Sequence, residues 1–382
     1  MPATPPAPAV SEPTTGPAVL PDWLDPRPWL GAAPPPGPDE DGVGRLVRLL
    51  RDDSPQALER LAREAERLTR RQFGRTIQLY APLYLSNYCT GGCAYCGYAA
   101  DRRQSRLRLE PGEIEAELDA MQGMGLDDVL LLTGERCPEA EMDYLTDAVA
   151  RAARRFDHVG VETFAMSLDE YRRLADAGCT SLTLYQETYD PALYHELHRW
   201  GPKRDYRFRL EAPDRALEAG LRTAGIGALL GLGDPIADAV ALYRHARRLQ
   251  RRHWRCGVAV SFPRLCPEPG CWQPRHPVDD ALLARIIFAF RICLPDAPLV
   301  LSTREQAAFR DGVAGVGINR MSVASRTTVG GYHHATEGDS GQFVIHDTRD
   351  VDAFCRMLRQ KGLEPVFKNW DAVFQPGAAK PQ

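Results

Sequence analysis

The segment from Ile77 to Cys96 decides the fold, because it joins a buried strand to a cluster of cysteines; it reads IQLYAPLYLSNYCTGGCAYC. The apolar run Ile77–Leu85 predicts a strand that is covered on both faces. Cys89, Cys93 and Cys96 follow directly after it. Barrels of alternating strands and helices carry their reactive groups at this end of their strands. The segment therefore predicts a functional loop at the carboxyl end of a first parallel strand.

The three cysteines, separated by three and then two residues, can surround one compact metal centre. Gly91 and Gly92 let the backbone fold tightly around it. Four thiolates would complete a tetrahedral zinc site or saturate a four-iron cluster. Three thiolates leave one iron of a [4Fe–4S] cluster open to an external ligand. The spacing favours a cluster bound by Cys89, Cys93 and Cys96, with a zinc ion that has a distant fourth ligand, or three incidental thiols, as alternatives.

Short apolar runs alternate with longer amphipathic stretches from residue 77 to residue 323. The apolar runs predict strands at Ile77–Leu85, Val129–Leu132, Val159–Glu162, Ser181–Tyr185, Ile226–Leu230, Val258–Phe262, Leu299–Leu301 and Val313–Ile318. The amphipathic stretches predict helices at Glu113–Met124, Met142–Arg155, Leu168–Ala177, Asp214–Thr223, Ala237–Arg251 and Asp279–Ile292. Eight strands alternating with helices favour a closed parallel barrel over an open sheet. The predicted fold is a complete α/β barrel of the (β/α)8 TIM type, with a helical N-terminal extension and a short C-terminal one.

The predicted organisation has five parts. Residues 1–40 hold 13 of the 31 prolines, a composition that disfavours a packed core and predicts a largely disordered arm. Within this arm, four apolar residues either dock as a short N-terminal anchor or merely decorate a linker: Trp23, Leu24, Trp29 and Leu30. The remaining parts are a helical extension at 41–76, the barrel at 77–323, a C-terminal extension that closes the barrel at 324–375, and a frayed tail at 376–382.

Composition excludes several classes of protein. The chain has 47 Lys and Arg against 51 Asp and Glu, a net charge of −4, which argues against a nucleic-acid partner. No run approaches the roughly 18 apolar residues of a membrane span. The Pro-rich N-terminus lacks the basic and apolar regions of a secretory signal. Ten cysteines without an export signal predict a cytoplasmic protein whose thiols stay free.

The cysteine spacing matches the CxxxCxxC motif of radical S-adenosylmethionine (SAM) enzymes. The flanking stretch Pro82–Cys89 resembles one family of that superfamily, the 2-iminoacetate synthases, which are the tyrosine lyases of bacterial thiamine-thiazole synthesis. Further segments resemble the same family in the same order: Leu132–Glu135, Leu184–Tyr189, Arg209–Arg215, Ser261–Arg264, Leu301–Glu305, Gly330–Tyr332 and Pro365–Asp371. The resemblance spans residues 45–375 and implies a radical SAM barrel with one [4Fe–4S] cluster and S-adenosylmethionine as cofactors.

Four residues are expected to hold S-adenosylmethionine. The ring of Tyr95, next to the last cysteine, can pack over the adenine. Glu135 ends the second strand and suits the α-ammonium group, which this position contacts in the superfamily; a surface loop glutamate is the alternative. By resemblance, Glu187 binds the ribose or methionine end. The guanidinium of Arg209 can bind the cofactor carboxylate as a bidentate pair, with Arg215 as the competing candidate.

The resemblance also indicates where an amino-acid substrate binds. Arg304, after the seventh strand, supplies the planar fork that a carboxylate needs, and an arginine in this motif has that role in related aromatic amino-acid lyases. A salt bridge to Glu305 or Asp311 is the structural alternative. Tyr84 resembles a substrate-contacting tyrosine of the same group, with a buried structural tyrosine as its alternative. The same pocket is expected to include two residues at the end of the sixth strand, Ser261 and Arg264.

The activity implied by the resemblance is cleavage of the Cα–Cβ bond of L-tyrosine to 2-iminoacetate (dehydroglycine) and p-cresol, with 5′-deoxyadenosine and methionine as cofactor products. A flavodoxin or ferredoxin is implied as electron donor. Because dehydroglycine hydrolyses readily, thiazole synthase is expected to accept it directly. Two alternatives are a lyase of the same class acting on L-tryptophan and an inactive metal-binding homologue. The presence of Glu135, Arg209 and Arg304 argues against the inactive homologue.

Seven cysteines lie outside the motif. Cys266 and Cys271 flank a Pro/Gly-rich loop after the sixth strand and suggest a second metal site, but two thiolates without a nearby histidine are insufficient for one. The others are interpreted as free thiols: Cys137, Cys179, Cys256, Cys293 and Cys355.

Overall fold

The computed structural model of the chain describes residues 18–31, 42–266, 272–333 and 341–368. One parallel sheet runs through these ranges, with strands β1 (Thr76–Tyr84), β2 (Asp128–Leu132), β3 (His158–Glu162), β4 (Ser181–Thr183), β5 (Thr223–Gly227), β6 (Gly257–Ser261), β7 (Leu299–Leu301), β8 (Arg320–Ser322) and β9 (Glu364–Val366). The helices are α1 (Arg27–Leu30), α2 (Val43–Arg51), α3 (Pro55–Phe73), α4 (Pro111–Gly123), α5 (Met142–Ala153), α6 (Leu168–Asp176), α7 (Pro191–Leu197), α8 (Tyr206–Leu210), α9 (Ala212–Glu218), α10 (Pro235–Arg252), α11 (Asp280–Cys293), α12 (Ala307–Val313) and α13 (Val351–Gln360).

Strand β1 closes the barrel because it pairs on both sides. It lies parallel to β2, with Ala81 opposite Val129, and parallel to β8, with Gln78 opposite Arg320. The predicted (β/α)8 barrel is confirmed. Strand β9 pairs with the first residues of β1 and so adds a ninth strand at the amino-terminal end of the barrel. None of the described helices is both long enough and apolar enough to cross a membrane.

Two predicted strands are wrong in position. The eighth strand is Arg320–Ser322 rather than Val313–Ile318, since the preceding residues form α12 and a turn through Gly315 at φ 74°. Val313 and Ile318 are apolar because they pack into the core from this helix end and turn. The fifth strand is Thr223–Gly227 rather than Ile226–Leu230. Gly225 and Gly227 carry no side chains, so the apolar run in the sequence begins at Ile226, three residues after the strand itself begins.

Side chains that meet inside the barrel fill its amino-terminal end. The fully buried Asp128 accepts hydrogen bonds from Gln78 Nε2 (2.8 Å) and His158 Nδ1 (2.7 Å), and it forms an ion pair with Arg320 (2.9 Å). Burial acts to raise the pKa of Asp128, but Arg320 and His158 hold it below its usual value. The carboxyl end of the barrel is therefore the end that remains for a site.

The N-terminal segment 18–31 packs on α10. The Trp23 ring lies 5.9 Å from the His245 ring and carries the Arg248 guanidinium at 4.5 Å. Leu24 is completely buried in the main core. Trp23 and Leu24 thus anchor this segment instead of decorating a linker.

We expect Leu24→Ala to lower the free energy of unfolding by about 2–5 kcal/mol, because it leaves a cavity in a closed core. Val19→Ala is the matched control, since Val19 is 89% exposed and should change stability by less than about 0.5 kcal/mol. Chemical denaturation of both variants measures the difference. Equal stability of the two variants would show that the segment does not stabilise the barrel.

Candidate active site

The cysteine loop leaves the carboxyl end of β1, as predicted. Backbone N–H groups of Gly91 and Glu135 both donate to Cys89 Sγ at 3.3 Å, and the N–H of Tyr98 donates to Cys96 Sγ at 3.4 Å. Hydrogen bonds to sulfur stabilise thiolate ligands and tune an iron–sulfur cluster. These hydrogen bonds fit cysteines whose sulfur atoms act as thiolate ligands.

Gly91 leaves space between two of these sulfur atoms. A Cβ at this position would lie 3.5 Å from Cys89 Sγ and 3.7 Å from Cys93 Sγ. Burial raises the pKa of Cys89 to about 11 and that of Cys93 to about 12, so a bound cation is needed to keep them as thiolates. Within the described ranges no three His, Cys, Asp or Glu side chains converge on a single metal ion. A four-iron cluster has no such requirement, since each cysteine binds a different iron, and the loop fits that group.

A buried charge network lies beside the cysteine loop. Glu187 forms an ion pair with Lys203 Nζ at 2.6 Å and faces the Arg209 guanidinium at 3.6 Å. Arg209 Nε also donates to the carbonyl of Tyr185 at 2.8 Å. Glu187 has φ 70°, an uncommon backbone conformation for a residue with a side chain and one that concentrates at functional sites. The sequence prediction included Glu187 and Arg209 but missed Lys203.

Tyr95 is fixed by a histidine that the sequence did not indicate. His198 Nδ1 lies 2.7 Å from the carbonyl of Tyr194, so it carries the proton, and Nε2 accepts from the Tyr95 hydroxyl at 2.8 Å. Burial holds the pKa of His198 well below its usual value, which keeps the imidazole neutral. The ring of Tyr95 is thus held at its hydroxyl end, while its stacking on adenine stays a prediction.

Glu135 and the two candidate arginines occupy different surroundings. Glu135 is 8% exposed, and its carboxylate acts electrostatically on Arg209. Arg215 instead donates to the carbonyl of Met166 at 2.8 Å and stacks on Phe208. The structure therefore brings Arg209, and not Arg215, to the charge network.

A cavity that opens to solvent lies at the carboxyl ends of the strands. Three predicted substrate residues line it, namely Tyr84, Ser261 and Arg304. Arg264 is not among the described residues that line it. Its guanidinium forms ion pairs with Glu305 and Asp280 and donates to the carbonyl of Val278 at 2.9 Å. The structure corrects the prediction for Arg264, whose long side chain turns toward these partners and away from the cavity.

Two opposite charges face this cavity without being paired. Arg304 stacks its guanidinium on the Phe343 ring at 3.3 Å, and Glu162, at the end of β3, lines the same cavity. Neither forms an ion pair with any residue in the described part of the chain. The predicted alternative for Arg304 is wrong, because Glu305 pairs with Arg264 and Asp311 pairs with Arg349 at 2.7 Å.

Glu162 is the most important residue that the sequence prediction missed. Burial raises its pKa to about 7, although Arg304 acts in the opposite direction. Its position at the carboxyl end of a predicted strand was a usable signal. Such a carboxylate in a cavity is typical of a functional group.

Gln342 connects the cavity to the cysteine loop. Its Oε1 accepts from the Tyr84 hydroxyl at 2.9 Å, and its Nε2 lies 3.7 Å from Cys96 Sγ. The two parts of the site are therefore contiguous.

Cys266 is separate from them, with its thiol directed at the carbonyls of Arg264 and Arg304, while Cys271 lies outside the described residues.

Comparison with known proteins places this site in a family. Residues 83–246 match the Radical SAM superfamily model, and residues 261–364 match the Biotin and Thiamin Synthesis associated domain. The chain is 39% identical over 331 residues to 2-iminoacetate synthase of Salmonella typhimurium, covering 86% of this chain and 87% of that protein. It is 40% identical over 334 residues to 2-iminoacetate synthase of Escherichia coli, covering 85% and 88%.

Among solved structures, the FeFe-hydrogenase maturase HydG from Carboxydothermus hydrogenoformans shares 31% sequence identity, with a TM-score of 0.80 over 89% of this chain and 81% of that chain. With the cysteine loop, these matches define the chain as a radical SAM enzyme, which uses S-adenosylmethionine and an iron–sulfur cluster. The identity to the two synthases extends over most of both chains. The chain belongs to the 2-iminoacetate synthase family.

Proposed function

We propose that this enzyme cleaves the Cα–Cβ bond of L-tyrosine to give 2-iminoacetate and p-cresol, for the thiazole moiety of thiamine. One observation carries the proposal. A cationic side chain, Arg304, and an acidic one, Glu162, line a cavity that adjoins the cysteine loop, and neither forms an ion pair among the described residues. The two relatives named 2-iminoacetate synthase support the product.

The charges of the cavity complement an amino-acid zwitterion. Both side chains are partly buried, so each loses part of its hydration, and a ligand of opposite charge would offset that cost. A substrate carboxylate would pair with Arg304, whose planar fork suits it. A substrate ammonium group would pair with Glu162. The aromatic and aliphatic walls, among them Tyr80, Leu132 and Val300, suit an aromatic side chain.

The chain's own residues orient the reactants in this proposal. Cys89, Cys93 and Cys96 would hold one [4Fe–4S] cluster, and Tyr95, Glu135, Glu187 and Arg209 would hold S-adenosylmethionine beside it. When bound, these cofactors supply the electron and the radical chemistry that begin the cleavage. The apolar walls of the cavity would keep water away from the bound substrate. Tyr84 and Ser261 line the cavity and would position the substrate between Arg304 and the cofactor.

Two protein partners belong to the proposal. The reaction draws an electron from outside the chain, for which a flavodoxin or ferredoxin is proposed. 2-Iminoacetate hydrolyses readily to glyoxylate and ammonia, so direct transfer to thiazole synthase would protect it.

Substrate analogues test the recognition of the zwitterion. 3-(4-Hydroxyphenyl)propionate lacks the ammonium group of tyrosine, and tyramine lacks the carboxylate. We expect Glu162→Gln to weaken tyrosine binding by about 2 kcal/mol, or about thirtyfold, while binding of hydroxyphenylpropionate stays within about twofold of wild type. Equilibrium dialysis with reconstituted enzyme measures both affinities.

Arg304→Lys is the matched comparison, because it should alter the preference for tyrosine over tyramine and leave the preference over hydroxyphenylpropionate nearly intact. Iron content should equal that of wild type in both variants. A wild-type enzyme that binds tyramine or hydroxyphenylpropionate as tightly as tyrosine would contradict the proposed recognition of an amino acid.

A further inference from the structure

Residues 197–201 pack against the cysteine loop. The N–H of Ala94 donates to the carbonyl of Leu197 (2.9 Å), and the N–H of Gly92 donates to the carbonyl of Trp200 (3.0 Å). A Cβ at Gly92 would lie 2.3 Å from the Trp200 ring, so the indole rests directly on the loop backbone. Trp200 is nevertheless 40% exposed. One aromatic side chain thus reaches from solvent to the loop that carries Cys93.

The surface around Trp200 is basic. Segments 99–108 and 199–209 carry four exposed basic residues, Arg103, Arg108, Arg199 and Arg207, against one exposed acidic residue, Asp101, whereas the whole chain has a net charge of −4. The Arg199 guanidinium stacks on the Trp200 ring at 4.5 Å and pairs with Asp101 at 2.8 Å. Arg103, two residues from Asp101, is exposed. We call the surface formed by Arg103, Arg199 and Trp200 the donor face.

We infer that the donor face docks an acidic, low-potential electron-transfer protein. The inference rests on the proposed function, which requires an external electron. Electron transfer weakens steeply with distance, and at this face the Trp200 indole lies against the backbone of Gly92, next to Cys93. Tryptophan and arginine are the residues that dominate binding at protein interfaces. A basic face also attracts an acidic partner over long range, which suits a brief encounter.

Each encounter transfers one electron and forms no bond. The flavin or iron–sulfur centre of the donor is oxidised by one electron, and the centre held by the cysteine loop is reduced by one. The donor then leaves, so the contact has to be weak and electrostatic, as in small transient redox interfaces.

The chain contains a matched control surface. Trp254 is 74% exposed and carries the Arg255 guanidinium at 4.8 Å over its ring. This pair follows α10 and precedes β6, which places it at the amino-terminal end of the barrel, opposite to the cysteine loop. It therefore has the composition of the donor face without its location.

The test measures binding of oxidised bacterial flavodoxin to reconstituted enzyme at low and high salt. We expect Arg103→Glu and Trp200→Ala each to weaken flavodoxin binding about tenfold at low salt. Arg255→Glu and Trp254→Ala should bind as wild type does. Cleavage of S-adenosylmethionine driven by flavodoxin should fall in parallel for Arg103→Glu, while cleavage driven by dithionite, a small reductant that needs no docking face, should be unchanged.

If Arg103→Glu binds flavodoxin with wild-type affinity, the inference is overturned. If Arg255→Glu loses as much affinity for flavodoxin as Arg103→Glu does, net charge alone matters, and the inference is again overturned. If Trp200→Ala lowers the iron content, Arg103→Glu alone decides, because that side chain does not contact the loop backbone through any hydrogen bond in the described ranges. A wild-type enzyme that cleaves no S-adenosylmethionine even with dithionite would instead contradict the proposed function itself.

Discussion

Replacing Arg304 with Ala is expected to abolish p-cresol formation while leaving the cluster and slow uncoupled cleavage of S-adenosylmethionine intact. The Arg304 guanidinium faces the cavity and forms no ion pair in the described part of the chain, so it is available to a substrate carboxylate. Removing one partner of a buried charged pair costs about 2–5 kcal/mol. Steady-state kinetics with tyrosine and quantification of p-cresol and 5′-deoxyadenosine measure this loss.

Arg304→Lys should restore part of the activity, since lysine keeps the charge but lacks the planar fork. Arg264→Ala is the contrasting variant. Arg264 pairs with Glu305 and Asp280 outside the cavity. Its loss should therefore lower the free energy of unfolding and have little effect on the KM for tyrosine. An Arg304→Ala enzyme that makes p-cresol with an unchanged KM would show that the carboxylate binds elsewhere. Loss of its iron would make Arg304 structural.

Replacing Cys93 with Ala is expected to remove the brown iron–sulfur chromophore or to leave a cluster that cannot cleave S-adenosylmethionine. Cys93 is buried, and its sulfur lies with that of Cys89 around the space that Gly91 leaves open. A cluster held by three protein thiolates has no spare ligand. Absorption spectra and iron analysis after anaerobic reconstitution give the result, and wild type should contain about four irons per chain.

Cys179→Ala is the control for this variant, because Cys179 is fully buried just before β4 and its thiol donates to the backbone carbonyl of Ser181 at 3.4 Å. It should keep its iron and its activity. Full cleavage of S-adenosylmethionine by Cys93→Ala would contradict the ligand assignment. About eight irons per chain in wild type would indicate a second cluster, for which Cys266 and Cys271 would be the candidates.

Site residues that directly follow a barrel strand could be predicted from the sequence. Cys89, Glu135 and Arg304 each come after a predicted strand, and the carboxyl ends of parallel strands meet at one mouth. Glu162 could have been predicted in the same way. The local sequence does not show which way a long side chain turns, and for that reason it misplaced Arg264.

Other parts of the site depend on tertiary structure alone. Gln342 reaches Tyr84 and Cys96 from the segment after β8, and no periodic pattern marks it. His198 contacts Tyr95 because residues 197–200 run beside the cysteine loop. Their sequence separations of about 250 and 100 residues carry no local signal. The position of the eighth strand was predicted wrongly for a related reason, because the end of a helix and a turn can bury apolar residues just as a strand does.

The central claim is tested most directly by incubating the anaerobically reconstituted, reduced wild-type enzyme with S-adenosylmethionine and either L-tyrosine or L-tryptophan, and identifying the products by mass spectrometry. With tyrosine, the account predicts p-cresol and glyoxylate, the hydrolysis product of 2-iminoacetate, in amounts that match 5′-deoxyadenosine. With tryptophan, it predicts only slow uncoupled 5′-deoxyadenosine. Indole-derived fragments from tryptophan without p-cresol from tyrosine would contradict it.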